Sequence, residues 1–443
     1  MNQQPEQLSY GKIFRFWLPL AATWLMMSIE GPFLAAVIAR LGAEKLNLAA
    51  YGVAYAFALV AESPVIMLMS ASTALCRDRD SYRQLRNFSL LLSLAVTLLF
   101  ALFLLPPIFN LIILKLIGLP EEVARLTYSA LLCLLPWPGA IGFRRFYQGV
   151  LIVSHKTRRV AMATIFRLAG MTGSALLCYF HTSLNGAMIG AIALSAGVTT
   201  EALLTRVLAH QSIAILLQTA TDPSRVKLNY RDIWNYYLPL AMTPFIGLSV
   251  HPVVTFFLGK SLAAVESLAV MPVIYGLTFI FRAMGLSYQE VAIALISENR
   301  NNYAKVRNIA IALGIFTSGS LALIAFTPLN QLWFQNISGL SAALTSFAIP
   351  ALKIMAVFPA LTVLICFQRS ILIVTRTTAP ISLTTALEAG GIFSILLLTV
   401  LYFPLSGAMA AALAYVSGRL LAVVVLQRSV GTQKPKLTAE GNL

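Results

Sequence analysis

The stretch Tyr10-Gly-Lys-Ile13-Phe-Arg-Phe-Trp-Leu18-Pro19-Leu20-Ala21 returns as Tyr230-Arg-Asp-Ile233-Trp-Asn-Tyr-Tyr-Leu238-Pro239-Leu240-Ala241. The second copy begins close to the middle of the chain. Working outward at the same offset, Pro32 falls on Pro252, Leu48-Ala49 on Leu268-Ala269, and Tyr55 on Tyr275. After a single one-position slip, Arg79, Tyr82, Arg86 and Asn87 fall on Arg300, Tyr303, Arg307 and Asn308. Leu151-Ile-Val153 then matches Leu372-Ile-Val374, and Leu184-Asn-Gly186-Ala-Met188 matches Leu405-Ser-Gly407-Ala-Met409. Apolar helices resemble one another by chance, but chance does not hold register through the polar loops between them. The chain therefore reads as two copies of one unit.

What the unit is made of follows from composition. Hydrophobic residues are 58% of the chain and charged residues 11%, against about 45–50% and about 25% in soluble globular proteins. Mean hydropathy is +0.81. Such a chain cannot clothe a globule in polar surface, so it belongs in a bilayer. A window of about 19 residues picks out twelve spans, at 13–39, 46–75, 88–114, 123–150, 160–181, 186–210, 233–259, 265–295, 308–328, 342–370, 380–402 and 407–428. The expected fold is an all-α polytopic membrane protein of twelve transmembrane helices in two parallel six-helix repeats. Six is even, so both halves take one orientation, related by a pseudo-two-fold axis along the membrane normal. That is the plan of some secondary transporters, with the substrate path between the halves. The expected organisation is an N-lobe at 1–210, a cytoplasmic linker at 211–232, a C-lobe at 233–428 and a cytoplasmic tail at 429–443.

The net charge is +16, from 32 Lys+Arg against 16 Asp+Glu. In a polytopic chain this reads as positive-inside bias, not as a nucleic-acid surface. One set of loops is basic, with Arg77, Arg79, Arg83 and Arg86; His155, Lys156, Arg158 and Arg159; Arg225, Lys227 and Arg231; Arg300, Lys305 and Arg307; and Arg376. The alternate set, around Lys115, Thr182–Asn185, Lys260, 329–341 and Phe403-Pro404, is nearly uncharged. Both termini are expected in the cytoplasm, with Lys434 and Lys436 in agreement, and the chain in the cell's inner membrane. Met1-Asn-Gln-Gln-Pro-Glu6 is polar and reads as no cleavable signal. Cys76, Cys133, Cys178 and Cys366 lie too far apart for metal or redox spacing.

A charge in the hydrocarbon costs at least about 2.5–3.5 kcal/mol, so it marks a cavity or a partner. The deep candidates are Glu30, Glu62, Arg167, His251, Arg282, Lys353 and Glu388. Arg144, Arg145, Arg369 and Arg419 are read as snorkelling to the cytoplasmic side. The repeat places Glu62 on Arg282 and Arg167 on Glu388, equivalent positions of opposite sign. Each pair either bridges the lobes in one conformational state or finds partners within its own lobe. Glu30 precedes Gly31-Pro32, which loosens the helix; it is a proton site, a substrate contact or a core residue. His251 is the repeat partner of Gly31 and precedes Pro252, so a matching break is expected there. Lys353 has no charged counterpart at Leu132 and either faces an anionic ligand or snorkels outward. Tyr51, Tyr55 and Tyr275 either line the cavity or pack.

Several stretches carry a resemblance: Arg15-Phe16-x-x-Pro19-Leu20 with Glu30, Ala50-Tyr51-Gly52-x-Ala54-Tyr55, the Arg77-Asp78-Arg79 loop, and His155-Lys156. With the two parallel lobes, this pattern resembles the multidrug/oligosaccharidyl-lipid/polysaccharide exporter superfamily, known best for its MATE exporters, and within it the ANK (progressive ankylosis) branch. The resemblance implies efflux of anions such as citrate-like carboxylates, pyrophosphate or nucleotides, by rocker-switch alternating access. In one respect the chain departs from MATE exporters, which often carry an Asp in the first span. The four aspartates here, Asp78, Asp80, Asp222 and Asp232, all sit in or beside cytoplasmic loops.

The leading expectation is thus an anion exporter. A proton- or sodium-driven MATE-type cation antiporter and a lipid-linked flippase stand as alternatives. An intramembrane enzyme is disfavoured: the spans hold no Asp pair, His155, His181, His210 and His251 form no His-Glu-x-x-His motif, and no phosphate-binding Gly-x-x-x-x-Gly-Lys loop occurs. No catalytic residue, metal site or resident cofactor is expected. The expected partners are a small-molecule substrate and the lipid bilayer, with no nucleic acid, and the chain is expected to be a monomer.

Overall fold

The computed structural model describes residues 9–154, 156–219, 229–375, 377 and 379–439, without the side chains of 157, 243, 298 and 434–439. The polar residues 1–8, His155, Asp222, Arg225, Lys227, Arg376 and the tail end 440–443 lie outside the described residues, as do the side chains of Lys434 and Lys436. The described chain is all-α. Its spans are α1 (Tyr10–Ala39), α2 (Glu44–Leu75), α3 (Arg79–Phe103), α4 (Glu121–Val153), α5 (Arg158–His181), α6 (Gly186–Leu208), α7 (Tyr230–Gly259), α8 (Ala264–Ser297), α9 (Arg300–Phe326), α10 (Ala342–Val374), α11 (Ala379–Tyr402) and α12 (Gly407–Gln433). Eleven pass as single apolar spans, and α7 is the twelfth when its two bent segments count as one.

The repeat is visible in the backbone. Ala43 and Ala263 both take left-handed angles, φ 55 and 51, immediately before α2 and α8. A β-carbon makes that region costly, yet alanines at equivalent positions of the two halves both adopt it. Gly118 and Gly339, equivalent once the one-position slip is allowed, share φ 79 and 76 in the turns before α4 and α10.

α3 starts well before the residue that hydropathy suggests, because a cap sets its end. Asp78 accepts from the Ser81 backbone N–H at 2.9 Å, so α3 begins at Arg79 and its first turns are charged. It ends at Phe103, short of the expected 114. Pro106 and Pro107 cannot continue its hydrogen-bond ladder, and a short helix followed by a π-turn carries the chain from Pro106 to Ile117. The expected matching breaks in α1 and α7 differ in place. α1 interrupts at Ile29, where Pro32 has no N–H for the Ser28 carbonyl. α7 bends by 42° between Met242 and Pro244, while Pro252 lies within its second segment. Pro244 has no counterpart in the first half, where Trp24 stands.

Packing divides the chain into two compact units, Val37–Lys260 and Met1–Ala36 with Ser261–Leu443. These differ from the repeat boundaries 1–210 and 233–428: the first span of each half packs in the unit built from the other half. In the unit holding α8–α12, Ile13 is fully buried among Tyr288, Val291, Ile371 and Leu426. Trp17 donates from Nε1 to Ser287 Oγ at 2.8 Å and meets the Tyr288 ring edge-on. In the unit holding α2–α6, the equivalent Ile233 and Tyr237 are buried, and the Tyr237 hydroxyl donates to the Pro64 carbonyl. Phe88 packs edge-on against Tyr237, with ring centroids 5.5 Å apart. One local sequence thus builds the same anchor twice.

Candidate functional site

Each unit holds a buried cluster of charge on the same helical framework. In the unit of α2–α6, Pro136 interrupts α4, and its second segment, Trp137–Val153, carries Arg144, Arg145 and Gln148. The face of this segment opposite Arg144 and Gln148 is small. A Cβ on Gly142 would come within 2.1 Å of Ser93 Oγ, and one on Gly149 within 2.5 Å of the Met69 carbonyl. Close approach on that side leaves Arg144 and Gln148 on the other, facing Glu201. Arg144 donates to Glu201 on α6, whose side chain is fully buried. Gln148 and Thr164 each donate to the other Glu201 oxygen at 3.1 Å, and Arg167 stands 3.7 Å away. One carboxylate thus answers two guanidinium groups, with its remaining lone pairs filled. Glu62, where α2 kinks, accepts from the indole N–H of Trp137 at 2.7 Å. Arg145 points a nitrogen at Met69 Sδ, 3.8 Å away.

The other unit repeats the framework with the signs changed. Arg282 on α8 takes the place of Glu62, Phe358 that of Trp137, and Glu388 on α11 that of Arg167. The indole offered a donor to a carboxylate. The phenyl ring offers its electron-rich face to a cation, and the Arg282 guanidinium lies 4.5 Å from the Phe358 centroid and 5.2 Å from Tyr275. Arg282 Nε also donates to Thr362 Oγ1 at 3.2 Å. Arg419 on α12 pairs with Glu388 at 2.6 Å, donates to the same Thr362 hydroxyl at 3.2 Å, and lies 5.0 Å from the Phe358 ring. Arg369 donates to Thr385 at 3.2 Å. Arg282 Nη1 and Arg369 Nε are buried with no hydrogen-bond acceptor among the described residues. This cluster holds three guanidinium groups and one carboxylate.

The candidates read from sequence take these places. Glu62 and Arg282 lie in different units, each held by partners of its own unit. Arg167 faces Glu201, and Glu388 faces Arg419. The snorkelling expectation for Arg144, Arg145, Arg369 and Arg419 is corrected. Arg144 is 3% exposed and the other three are half-buried, all turned inward because carboxylates, hydroxyls or a thioether wait there. Glu30 is buried at the start of the second α1 segment, and His251 is half-buried away from the α7 bend. Tyr51 stacks on Tyr55, with centroids 6.1 Å apart, and closes on α6 where Gly190 leaves room for its ring. Tyr275 belongs to the Arg282 cage. Lys353 is exposed, with its ammonium 5.6 Å from the Phe326 ring at the end of α9.

Glu201, Trp137 and Phe358 escaped the sequence reading. A signal existed for the first: Glu201 is the one carboxylate in 186–208, and Arg144 and Gln148 are spaced i, i+4 on a neighbouring span.

No family model matches the chain, and no curated protein matches it. Solved structures do match over nearly its whole length. An inward-facing multidrug resistance MATE family transporter of the MOP superfamily superposes with a TM-score of 0.72 at 18% identity, covering 93% of this chain and 99% of that one. The lipid II flippase MurJ in an inward closed conformation gives 0.72 at 16%, covering 96% and 90%. A MOP superfamily transporter from Pyrococcus furiosus gives 0.62 at 16%, covering 95% and 96%. The fold is therefore that of MOP superfamily transporters.

Proposed function

We propose that this protein is a secondary transporter that exports a small organic or inorganic anion, of carboxylate or phosphate type, by alternating access. The observation that carries the reading is three inward guanidinium groups, Arg282, Arg369 and Arg419, against one carboxylate, Glu388, with the Arg282 Nη1 and Arg369 Nε atoms buried and without an acceptor among the described residues. Buried cations without counter-charge are expensive. A carboxylate or phosphate would complete them with charge-assisted, bidentate contacts. The resemblance to the ANK branch supports an anion as cargo, and the MATE-type fold supports a transporter. Glu62, whose direct partner is a neutral indole, and Glu30 are the carboxyls proposed to couple transport to protons; a sodium ion is the other coupling candidate.

The test is counterflow in proteoliposomes loaded with citrate, malate, pyrophosphate or ATP, beside cationic dyes. Uptake of one anion class, lost in Arg282→Gln and partly kept in Arg282→Lys, is the expected result. Dye transport that survives Arg282→Gln would overturn the reading in favour of a MATE-type cation antiporter. A second reading has its own support: MurJ superposes as well as the MATE transporter does, and three guanidinium groups also suit a lipid-linked diphosphate. Flipping of a fluorescent polyprenyl diphosphate lipid, with no counterflow of soluble anions, would select it.

A further inference from the structure

A groove of about 320 Å³ runs along the unit of α8–α12, between α9, α10 and α12. Its two ends differ in chemistry. Tyr303, Arg307, Gln368 and Gln427 line the end beside the basic loop at 300–307, and Ile311, Gly314, Ile315 and Leu364 line the other. Arg307, Ile311 and Ile315 are exposed. Gln368 is 1% exposed. Its amide nitrogen donates to Gln427 Oε1 at 2.7 Å and to the Val423 carbonyl at 3.1 Å, and its own oxygen has no donor among the described residues.

The first half of the chain fills the corresponding place. After α6 the helix breaks at Ala209, and the short helix His210–Gln218 buries Ser212, Ile213 and Leu216 over α3 and α4. In the second half the equivalent residues continue α12 as one helix, Gly407–Ala439. Tyr82, counterpart of Tyr303, is consequently buried, while Tyr303 is half-exposed at the groove. At the floor, Arg206 over the Tyr147 ring is replaced by Gln427 against Gln368.

We propose that the groove is a binding site for an anionic glycerophospholipid from the leaflet that the basic loops face. The acyl chain would lie along Ile311, Gly314, Ile315 and Leu364. The phosphate would meet Arg307, and a headgroup hydroxyl would donate to the orphaned Gln368 oxygen. Phosphatidylglycerol has that combination: a phosphodiester charge with hydroxyl donors beside it. Phosphatidylcholine has neither net charge nor a headgroup donor.

The experiment is native mass spectrometry and thermal unfolding of the full, delipidated protein in detergent, titrated with phosphatidylglycerol or phosphatidylcholine. A Cβ on Gly314, which lines the groove, meets nothing closer than 3.7 Å, so Gly314→Leu puts its bulk into the groove, whereas Gly319 on the same helix faces open space. The expected result is that phosphatidylglycerol binds and raises Tm. Binding should weaken about tenfold in Arg307→Gln, as for one charge-assisted contact, disappear in Gly314→Leu and persist in Gly319→Leu. Equal binding of phosphatidylcholine, or full binding by both Arg307→Gln and Gly314→Leu, overturns the proposal. Arg307 is exposed, so its variant keeps the fold if Gly314→Leu does not.

Discussion

Glu201 and Glu62 stand in one unit and have opposite characters. Glu201 is the counter-charge of Arg144 and Arg167 and accepts two further hydrogen bonds. Glu201→Gln would remove the carboxylate that Arg144 contacts, and breaking a buried pair in this way costs about 3–5 kcal/mol. We expect a clear fall in Tm in detergent for Glu201→Gln. Glu62 is held by an indole donor, and a glutamine oxygen accepts that bond equally well. Glu62→Gln should therefore leave Tm nearly unchanged and, under the proton-coupling proposal, flatten the pH dependence of transport. If Tm falls equally in both variants, Glu62 is an ion-pair partner like Glu201. At this scale the sequence showed which residue types were costly in a bilayer, but not which faced each other. Arg144 and Arg419 read as surface-seeking because hydropathy registers depth and takes no account of an acid on the neighbouring helix.

Elements approach one another where their side chains end. Gly149 lets the second segment of α4 close on α2, with its missing Cβ 2.5 Å from the Met69 carbonyl oxygen. That neighbour is backbone and cannot swing away, so Gly149→Ala should cost about 1–3 kcal/mol, the usual range for overpacking, despite alanine's better helix propensity. Gly173 on α5 has nothing within 4 Å, and Gly173→Ala should be neutral or slightly stabilising. Fluorescence-detected size exclusion after a temperature ramp separates the two; equal midpoints would mean that α2 and α4 are looser than described. Element types and their order were legible from apolar runs. Ends were less so, since the Asp78 cap and the Pro106-Pro107 stop act through hydrogen bonds that a hydropathy window does not weigh. The bend of α7 followed Pro244, which the repeat pattern had hidden behind Pro252.

For the whole molecule, exchange of the first spans has a consequence. α1 packs with α8–α12, and α7 with α2–α6. A chain cut between Thr219 and Asn229 should give two halves that are each poorly folded alone and recover a monodisperse species when co-expressed. Two halves that are separately stable would mean that the exchange contributes little. Orientation is a second prediction. Cysteine placed at exposed Arg83 should react with an impermeant maleimide only from the cytoplasmic side, and cysteine at exposed Lys115 only from the other. The reverse pattern would invert the assignment of the termini.

The sequence alone determined that this chain lives in a bilayer, that it has twelve spans, and that these form two copies of a six-span unit. Those properties are sums and periodicities along one dimension: apolar length, loop charge and a repeat register held from the first span of each half to the last. Tertiary structure alone decided that the first spans change places and that Glu201 gathers Arg144 and Arg167. It also decided that Arg282 rests on Phe358 where Glu62 meets Trp137. Each helix residue turns its side chain by about 100°, and which neighbour it then meets depends on the rotation and closeness of helices far apart in sequence. Those are set by small residues such as Gly142 and Gly149 and by buried anchors such as Ile13 and Ile233, whose effect exists only once the helices are packed.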